Sequence, residues 1–212
     1  MAKRLIIIRH GESIWNYSRK YTGWVDVPLT NKGIKESKIV GEKLIKNKII
    51  PTISYTSELI RSIDSNKIIL DRMNLEIETI QSWRLNERHY GLLSGYDRTN
   101  LKWQGKYFDL PPIINKIENL NMYKIDDYNP IYGESYYMTY IRLKPIWNNY
   151  IIRDILNNRV PIICAHKNSL KVLVQLIENL SLKEVPDIQI ENSIPIIYEF
   201  DDNMNVMKKT II

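Results

Sequence analysis

The first apolar segment of the chain is a continuous run over residues 5–8, with no polar residue inside it. Such a run, without alternation, is typical of a β-strand that is buried on both faces of a sheet. The run ends at Arg9, and His10 and Gly11 follow it directly. The pattern therefore predicts a central strand that ends abruptly in polar residues.

The next elements alternate between helix and strand. After Asn31, a residue that favours helix caps, the apolar residues recur at the spacing of one helix face. The predicted elements are a helix from Asn31 to about Lys48, a strand over Ile53–Thr56, a helix that Ser57 caps and that runs to about Arg72, and a strand over residues 75–80.

The second half of the chain has longer connections. Residues 83–95 alternate poorly and contain Gly91 and Gly95, so they are predicted to form a loop with a short strand. Residues 109–133 are rich in Pro and Asn and are predicted to lie on the surface. The remaining predicted elements are a helix over residues 134–157 bent at Pro145, a strand over residues 160–165, a helix over residues 169–180, and strands over residues 194–200 and 206–211.

Alternating strands and helices of these lengths are typical of an α/β protein. We expect a three-layer sandwich, in which a mostly parallel central sheet is flanked by helices, and we expect residues 1–212 to form one domain. In such folds ligands bind beyond the carboxyl ends of the strands. His10 and His166 each follow a predicted strand directly, so both are expected at that edge.

The composition is that of an ordinary globular protein, with 44% hydrophobic and 25% charged residues among 212. No stretch of about 18 apolar residues is present, so no membrane-spanning helix is predicted. The first residues lack the apolar core and the cleavage site of a signal peptide, and Cys164 is the one cysteine. We therefore expect a cytoplasmic protein that does not engage a membrane.

The formal net charge of the chain is +6, which favours acidic ligands. Its lysines and arginines are dispersed rather than gathered in a basic stripe, so nucleic acid is not the predicted partner. Small phosphorylated molecules agree better with this distribution.

His10 is the first candidate for chemistry. Arg9 beside it offers the planar donors that suit phosphate or carboxylate, and Gly11 lets the backbone turn or approach another group closely. An imidazole in this setting can attack a phosphoryl group and carry it as phosphohistidine, which divides one transfer into two easier steps. The same tripeptide is also compatible with an ordinary polar loop after a strand.

His166 has the same position after another predicted strand, and Lys167, Asn168 and Ser169 follow it at a helix start. Free N–H groups at a helix start favour anions. As a cation or hydrogen-bond donor, His166 would stabilise the oxygens of a phosphoryl group. The alternative is an ordinary turn that caps the helix.

Arg61 and Glu87 have weaker local signals. Arg61 lies in the first turns of a predicted helix, where a solvated arginine is the usual case. Glu87 lies among polar side chains, where a carboxylate near a phosphoryl group could move the proton of a substrate hydroxyl; the alternative is a surface ion pair. The three histidines lie far apart in sequence without metal-ligand spacing, so no metal site is predicted.

A larger pattern is carried, in order, by LIIIRHGESIWN (5–16), YTGWVDVPLTNKG (21–33), YTSELIRSID (55–64), WRLNERHYGLLSG (83–95), GESYYMTYIRLKPIWNNYI (133–151), AHKNSL (165–170) and IPIIYEFD (194–201). These segments resemble the cofactor-dependent phosphoglycerate mutases of the histidine phosphatase superfamily. The Arg-His-Gly sequence by itself marks only the superfamily. The Gly-Trp segment and LNERHYG are more specific to the mutases, and the resemblance covers nearly the whole chain.

The resemblance implies roles for individual residues. His10 is the implied phosphorylated nucleophile, His166 the stabiliser of the transferring phosphoryl group, and Glu87 the acid and base for the substrate hydroxyl. Arg9 and Arg61 are implied to bind phosphate. The other residues that the resemblance places at the substrate are Asn16, Thr22, Gly23, Arg88, His89, Tyr90, Arg98, Lys167 and Asn168.

The resemblance also implies a reaction, the glycolytic and gluconeogenic interconversion of 3-phosphoglycerate and 2-phosphoglycerate. The partners would be small phosphorylated three-carbon acids, with 2,3-bisphosphoglycerate as the primer that phosphorylates His10 and with no metal. Two other functions stay open: a phosphatase in which water discharges phospho-His10, and a binding protein whose catalysis is weakened or lost. A homodimer and a monomer are both compatible with the resemblance.

The chain departs from the family pattern near the expected site. Lys167 stands where the family has glycine after the second histidine, and residues 192–193 replace a Thr-Gly pair. Residues 103–106 stand where the family has two arginines. Lys102 or Lys106 is then the candidate to hold the substrate carboxylate.

Overall fold

The computed structural model describes residues 3–112 and 132–212. Six strands form one sheet within this part of the chain. They are β1 (Lys3–Arg9), β2 (Ile53–Thr56), β3 (Thr79–Gln81), β4 (Pro161–Ala165), β5 (Ile196–Phe200) and β6 (Val206–Ile211), in the spatial order β3-β2-β4-β1-β5-β6.

The sheet is mostly parallel, as predicted. β4 lies between β1 and β2 and pairs in parallel with both, and β3 pairs in parallel with β2. β5 runs antiparallel to β1, and β6 runs antiparallel to β5. The apolar run at residues 5–8 lies inside β1, and each of these four residues is at most 1% exposed, which confirms the predicted central strand.

Helices cover both faces of the sheet. A continuous helical run extends over residues 136–156 and includes a π-helical turn (Trp147–Ile151), so the long helix predicted over residues 134–157 is present. The π-helical turn follows Pro145, which lacks the N–H that a regular helix would use. The helices are α1 (Ile14–Tyr17), α2 (Asn31–Lys46), α3 (Ile60–Arg72), α4 (Tyr136–Ile146), α5 (Ile152–Leu156) and α6 (Lys167–Glu178).

The core divides into one cluster on each face, because successive side chains of a strand point to opposite sides. Leu5 and Ile7 of β1 pack with residues of α4, α5 and α6 in the larger cluster. Ile6 and Ile8 pack with residues of α2 and α3 in the smaller one. Helices, sheet and helices therefore form the three layers that the sequence predicts.

Several predicted helix starts are wrong in detail. Thr30, not Asn31, caps α2, and its side chain accepts a hydrogen bond from the N–H of Gly33. α3 begins at Ile60, and its cap residue is Leu59 instead of Ser57. The hydroxyl of Ser57 accepts the N–H of Leu59 and also contacts a histidine. α6 begins two residues earlier than predicted.

The region after α3 differs most from the prediction. The strand predicted over residues 75–80 is present only in Thr79–Gln81, because Ile77 packs against the cluster of α2 and α3 instead of joining the sheet. Residues 83–95 form 3-10 turns at Trp83–Leu85 and Gly91–Leu93; no strand occurs in that stretch, all of which the structure describes. Most of the predicted surface segment 109–133 lies outside the described residues.

No helix in the described part of the chain combines the length and the apolar character that a membrane crossing needs.

Candidate active site

The register of β1 and β4 brings two histidines together at the carboxyl edge of the sheet. Arg9, the last residue of β1, pairs with Ala165, the last residue of β4. His10 and His166 therefore leave neighbouring strands side by side, and their ring centroids are 4.9 Å apart. Both residues are buried. The prediction that they lie at this edge is confirmed.

Two glycines in contact fix the loop that carries His10. A side chain on Gly11 would place its Cβ atom 2.3 Å from the carbonyl oxygen of Gly33 in the first turn of α2, so only glycine fits there. The N–H of Gly11 also donates to Ser65 Oγ of α3 at 3.0 Å. The loop is held by both helices, which restricts the position of the imidazole.

The hydrogen bond of His10 assigns its tautomer. Nδ1 lies 2.7 Å from the carbonyl oxygen of Gly11, which can only accept, so Nδ1 carries the proton of the neutral ring and Nε2 keeps its lone pair. Burial, followed by the charges of Arg61 and Arg9, holds the pKa of His10 well below its usual value. The resting form at neutral pH is therefore a neutral imidazole whose Nε2 can act as a nucleophile.

His166 is neutral as well. Its Nε2 lies 2.7 Å from Ser57 Oγ, and its Nδ1 has no hydrogen-bond partner among the residues described. Burial, followed by the charge of Arg61, holds the pKa of His166 well below its usual value. The cationic His166 considered from the sequence therefore requires an anion beside it to raise this pKa.

Two arginines lie beside the histidine pair and are oriented by backbone carbonyls. Arg61 donates to the carbonyl oxygens of Val25 and Gly23 at 2.9 and 2.8 Å, and Arg9 donates to that of Ile190 at 3.1 Å. Burial lowers the pKa of Arg61 to about 10, so its guanidinium stays charged at neutral pH. Such fixed cations suit a phosphoryl group.

Glu87 lies at the amino end of α6. Its Oε1 accepts the N–H of Arg88 at 2.8 Å and the N–H of Asn168 at 3.1 Å. These bonds orient the carboxylate, which lines the same cavity as His10. A carboxylate in this position can take a proton from a substrate hydroxyl or return it.

A buried ion pair supports the loop that carries Glu87. Arg142 of α4 donates to Glu134 and also to the carbonyl oxygens of Asn86 and Glu87, at 2.9 and 3.0 Å. Glu134 in turn accepts the N–H of His89 at 2.8 Å. Removal of either partner would leave a buried charge uncompensated. The pair therefore fixes the loop, although nothing in the local sequence around Glu134 and Arg142 indicated this role.

The predicted residues converge on one cavity of about 160 Å³. Three predicted residues are absent from the lining of this cavity: His166, which lies next to His10, and Gly23 and His89. Gly23 contributes its carbonyl to Arg61, and the ring of His89 packs edge-on against Trp24 with centroids 5.3 Å apart. The predicted residues that line the cavity are Arg9, His10, Asn16, Thr22, Arg61, Glu87, Arg88, Tyr90, Arg98, Lys167 and Asn168.

The lining also includes five residues that were not predicted from the sequence. Tyr136 begins α4, Lys171 lies inside α6, and the other three lie in loops, so no strand end marks any of them as functional. Two of the loop residues belong to the segment 103–106, which departs from the family pattern. The five are Tyr21, Trp103, Gln104, Tyr136 and Lys171.

The cavity has a strong excess of positive charge. Among the described residues, its lining includes one carboxylate, Glu87, and six basic side chains. A ligand with several negative charges would balance them. Residues 3–112 and 132–212 contain no group of three or more His, Cys, Asp or Glu side chains that could hold a metal ion. The six basic residues are Arg9, Arg61, Arg88, Arg98, Lys167 and Lys171.

The buried histidines predict a loss of stability in acid. The unfolded chain binds protons near the ordinary histidine pKa, whereas the native state holds the pKa of His10 and His166 well below it and burial lowers that of His89 to about 4. The contribution of the neutral histidines to the free energy of unfolding is therefore fully present above a pH of about 6.5. Below that pH it decreases, by up to about 1.4 kcal/mol per pH unit for each histidine.

Urea unfolding at a pH of about 7.5, 6 and 5 measures this effect. The variant His89→Gln removes one of the three groups and should lose stability less steeply below a pH of about 6.5. A free energy of unfolding that stays constant across this range would contradict neutral, buried histidines.

Comparison with known proteins agrees with this geometry. The model of the histidine phosphatase superfamily (branch 1) matches residues 5–211. The 2,3-bisphosphoglycerate-dependent phosphoglycerate mutase of Blochmanniella floridana is 39% identical, over 97% of this chain and 96% of that protein. The 2,3-bisphosphoglycerate-dependent phosphoglycerate mutase 1 of Lactobacillus johnsonii is 34% identical, over 97% of both chains.

Solved structures with the same fold have lower sequence identity. A mycobacterial glucosyl-3-phosphoglycerate phosphatase aligns with a TM-score of 0.73 and 18% identity, over 100% of this chain and 98% of that one. YhfR of Bacillus stearothermophilus aligns with a TM-score of 0.73 and 22% identity, over 96% and 93% of the two chains. At these identities the likeness concerns the fold alone.

Proposed function

The chain belongs to branch 1 of the histidine phosphatase superfamily and, within it, to the 2,3-bisphosphoglycerate-dependent phosphoglycerate mutases, and from this premise we propose that it interconverts 3-phosphoglycerate and 2-phosphoglycerate. The observation that carries the proposal is the cavity itself, where a neutral His10 lies beside His166, two fixed arginines and Glu87. This interconversion takes part in both glycolysis and gluconeogenesis.

His10 supplies the covalent step of the proposed mechanism. When a phosphoryl group resides on Nε2, the N–P bond breaks as the substrate hydroxyl oxygen forms a bond to phosphorus. In the second half of the cycle Nε2 attacks the phosphorus of the other phosphoryl group as its O–P bond to the carbon chain breaks, and the phosphohistidine is restored. Arg9 and Arg61 hold the phosphoryl oxygens, and His166 donates to them as charge gathers there.

Glu87 manages the proton in both halves of the cycle. It accepts the proton of the attacking hydroxyl in the first half and returns it to the leaving oxygen in the second. Its two backbone hydrogen bonds, from Arg88 and Asn168, keep the carboxylate in place for both tasks.

The residues that line the cavity fit 2,3-bisphosphoglycerate, the primer that appears in the names of the relatives. Six basic side chains against one carboxylate among the described lining residues match a ligand with two phosphates and a carboxylate. When bound, the primer supplies the phosphoryl group that His10 must carry before the first turnover.

The test is an enolase-coupled assay that follows conversion of 3-phosphoglycerate, with and without 2,3-bisphosphoglycerate. We expect the rate of 2-phosphoglycerate formation to rise strongly with the primer and to exceed the release of inorganic phosphate. Phosphate release that exceeds mutase flux would assign the chain as a phosphatase instead. If His10 takes no label from radioactive primer, the chain is a binding protein.

We further propose that residues 1–212 form one domain that works in the cytoplasm. Support for one domain comes from β1 and β6, which lie near the two ends of the chain and belong to the same sheet. Equilibrium sedimentation would distinguish the monomer from the homodimer, both of which are compatible with the proposed reaction.

A further inference from the structure

Arg88, Lys167 and Lys171 form a second cation cluster in the cavity, in addition to the arginines beside His10. Lys167 and Lys171 are four residues apart on α6, so they share one helix face. Arg88 and Lys171 both lie over the ring of Tyr136, with 4.1 and 5.9 Å to its centroid. The described side chains thus place three positive charges around one end of α6.

Arg88 has unused donors although it is buried. It is 1% exposed, and its guanidinium lies 4.6 Å from the ring centroid of Trp103 as well as over Tyr136. Its Nη2 donates to the carbonyl oxygen of Gln104 at 2.9 Å, while Nε and Nη1 have no hydrogen-bond partner among the residues described. Buried N–H groups without partners are costly, so this arginine is built to receive an acceptor from the cavity.

Lys171 is buried too, at 2% exposure. Its ammonium donates to the carbonyl oxygen of Pro186. Within residues 3–112 and 132–212, no member of the second cation cluster forms an ion pair. Burial and the charge of Lys167 lower the pKa of Lys171 to about 8. An anionic ligand would relieve this repulsion.

Glu87 lines the same cavity as both groups of cations. Its Oε1 accepts the N–H groups of Arg88 and Asn168, which belong to or adjoin the second cation cluster. The lining therefore contains cations beside His10, a proton-transferring carboxylate and further cations. A three-carbon acid presents the matching order of phosphoryl group, hydroxyl and carboxylate.

We propose that the second cation cluster binds the carboxylate of the phosphorylated three-carbon acid. The assignment rests on the proposed function, whose substrate it anchors at the end away from the reacting phosphoryl group. Residues 103–106 contribute no arginine to the cavity, and Gln104 holds Arg88 through its carbonyl oxygen. Lys167 and Lys171 therefore supply the charge at this position, instead of the Lys102 or Lys106 considered from the sequence.

The test compares two ligands that differ at the carboxylate. Calorimetry without primer, so that no turnover occurs, measures the affinity of the full chain for 3-phosphoglycerate and for glycerol 3-phosphate, which has a hydroxymethyl group in place of the carboxylate. In Lys171→Met we expect binding of 3-phosphoglycerate to weaken about 10- to 100-fold, while binding of glycerol 3-phosphate changes less than about threefold.

Two further variants complete this design. Lys167→Met removes a half-buried charge at the start of α6 and should disturb folding less than Lys171→Met. It should weaken binding of 3-phosphoglycerate but not of glycerol 3-phosphate. Lys46→Met removes one exposed charge from the end of α2 and should bind both ligands like the unmodified chain. Equal weakening for both ligands, or no weakening of 3-phosphoglycerate binding in either cluster variant, would overturn the assignment.

A pH series gives an independent readout. The groups that face Lys171 are Lys167, Arg88, Glu87, Asp187 and the ring of Tyr136. Because Lys171 loses its proton above a pH of about 8, affinity for 3-phosphoglycerate should fall about tenfold between a pH of about 7 and 9, and less in Lys171→Met. An equal fall in the unmodified chain and in Lys171→Met would overturn the role of Lys171 in this pH dependence.

Binding and turnover together distinguish a failure of the cluster assignment from a failure of the proposed function. If 3-phosphoglycerate binds with the expected selectivity but no 2-phosphoglycerate forms with primer, the second cation cluster stands and the mutase assignment falls. If 2-phosphoglycerate forms and the selectivity is unchanged in both cluster variants, the cluster assignment alone falls.

Discussion

Replacement of His10 by alanine is expected to reduce mutase turnover by at least about 10⁴-fold, since the covalent intermediate can no longer form. No other described side chain in the cavity offers an equivalent atom. His166 is the nearest imidazole, but it is absent from the lining of the cavity. Neither Arg9 nor Arg61 is a nucleophile at neutral pH.

The enolase-coupled assay measures this loss, and phosphoryl transfer from radioactive primer tests its cause. The unmodified chain should acquire a label that is stable in alkali and labile in acid, as expected of phosphohistidine, and His10→Ala should acquire none. Urea unfolding of the variant serves as the control for folding. Substantial mutase activity in a folded His10→Ala chain would contradict the mechanism.

Replacement of Glu87 by glutamine should lower kcat by about 10²- to 10⁴-fold, the usual contribution of general acid–base catalysis. The amide oxygen of glutamine can still accept the hydrogen bonds from Arg88 and Asn168 that orient the carboxylate. The geometry is thus retained, while the ability to exchange a proton with the substrate hydroxyl is lost.

A substrate with a good leaving group separates proton transfer from positioning. p-Nitrophenolate leaves without protonation, so the first release of p-nitrophenolate from p-nitrophenyl phosphate should slow by less than about tenfold in Glu87→Gln. Rapid-mixing measurements of that first release give the comparison. An equal loss with p-nitrophenyl phosphate and with 3-phosphoglycerate would show that Glu87 acts through positioning alone.

The elements with strong periodicity could be predicted from the sequence, and those that depend on distant partners could not. β1 follows from an uninterrupted apolar run, and β6 has the predicted bounds. The short strand predicted in residues 83–95 is absent because Arg142 takes the carbonyl oxygens of Asn86 and Glu87. That contact joins residues 55 or more positions apart, beyond any local pattern.

The candidate site divides in the same way. His10 and His166 stand out because polar residues end two buried strands, and the parallel register then places them together. Ser57 was predicted as a helix cap, since nothing in its neighbourhood reveals a distant imidazole. Lys171 lies in the interior of α6, where a lysine in sequence reads as a solvated position.

By itself, the sequence determined the layered fold, the edge of the sheet where chemistry takes place and the family, because buried strands and local motifs leave periodic or contiguous signals. Only the tertiary structure decided the electrostatic state of that edge. Burial keeps His10 and His166 neutral, and the ring of Tyr136 brings Arg88 and Lys171 together in the cavity. Desolvation and charge pairing depend on which distant residues meet, and these are properties that the order of residues along the chain does not contain.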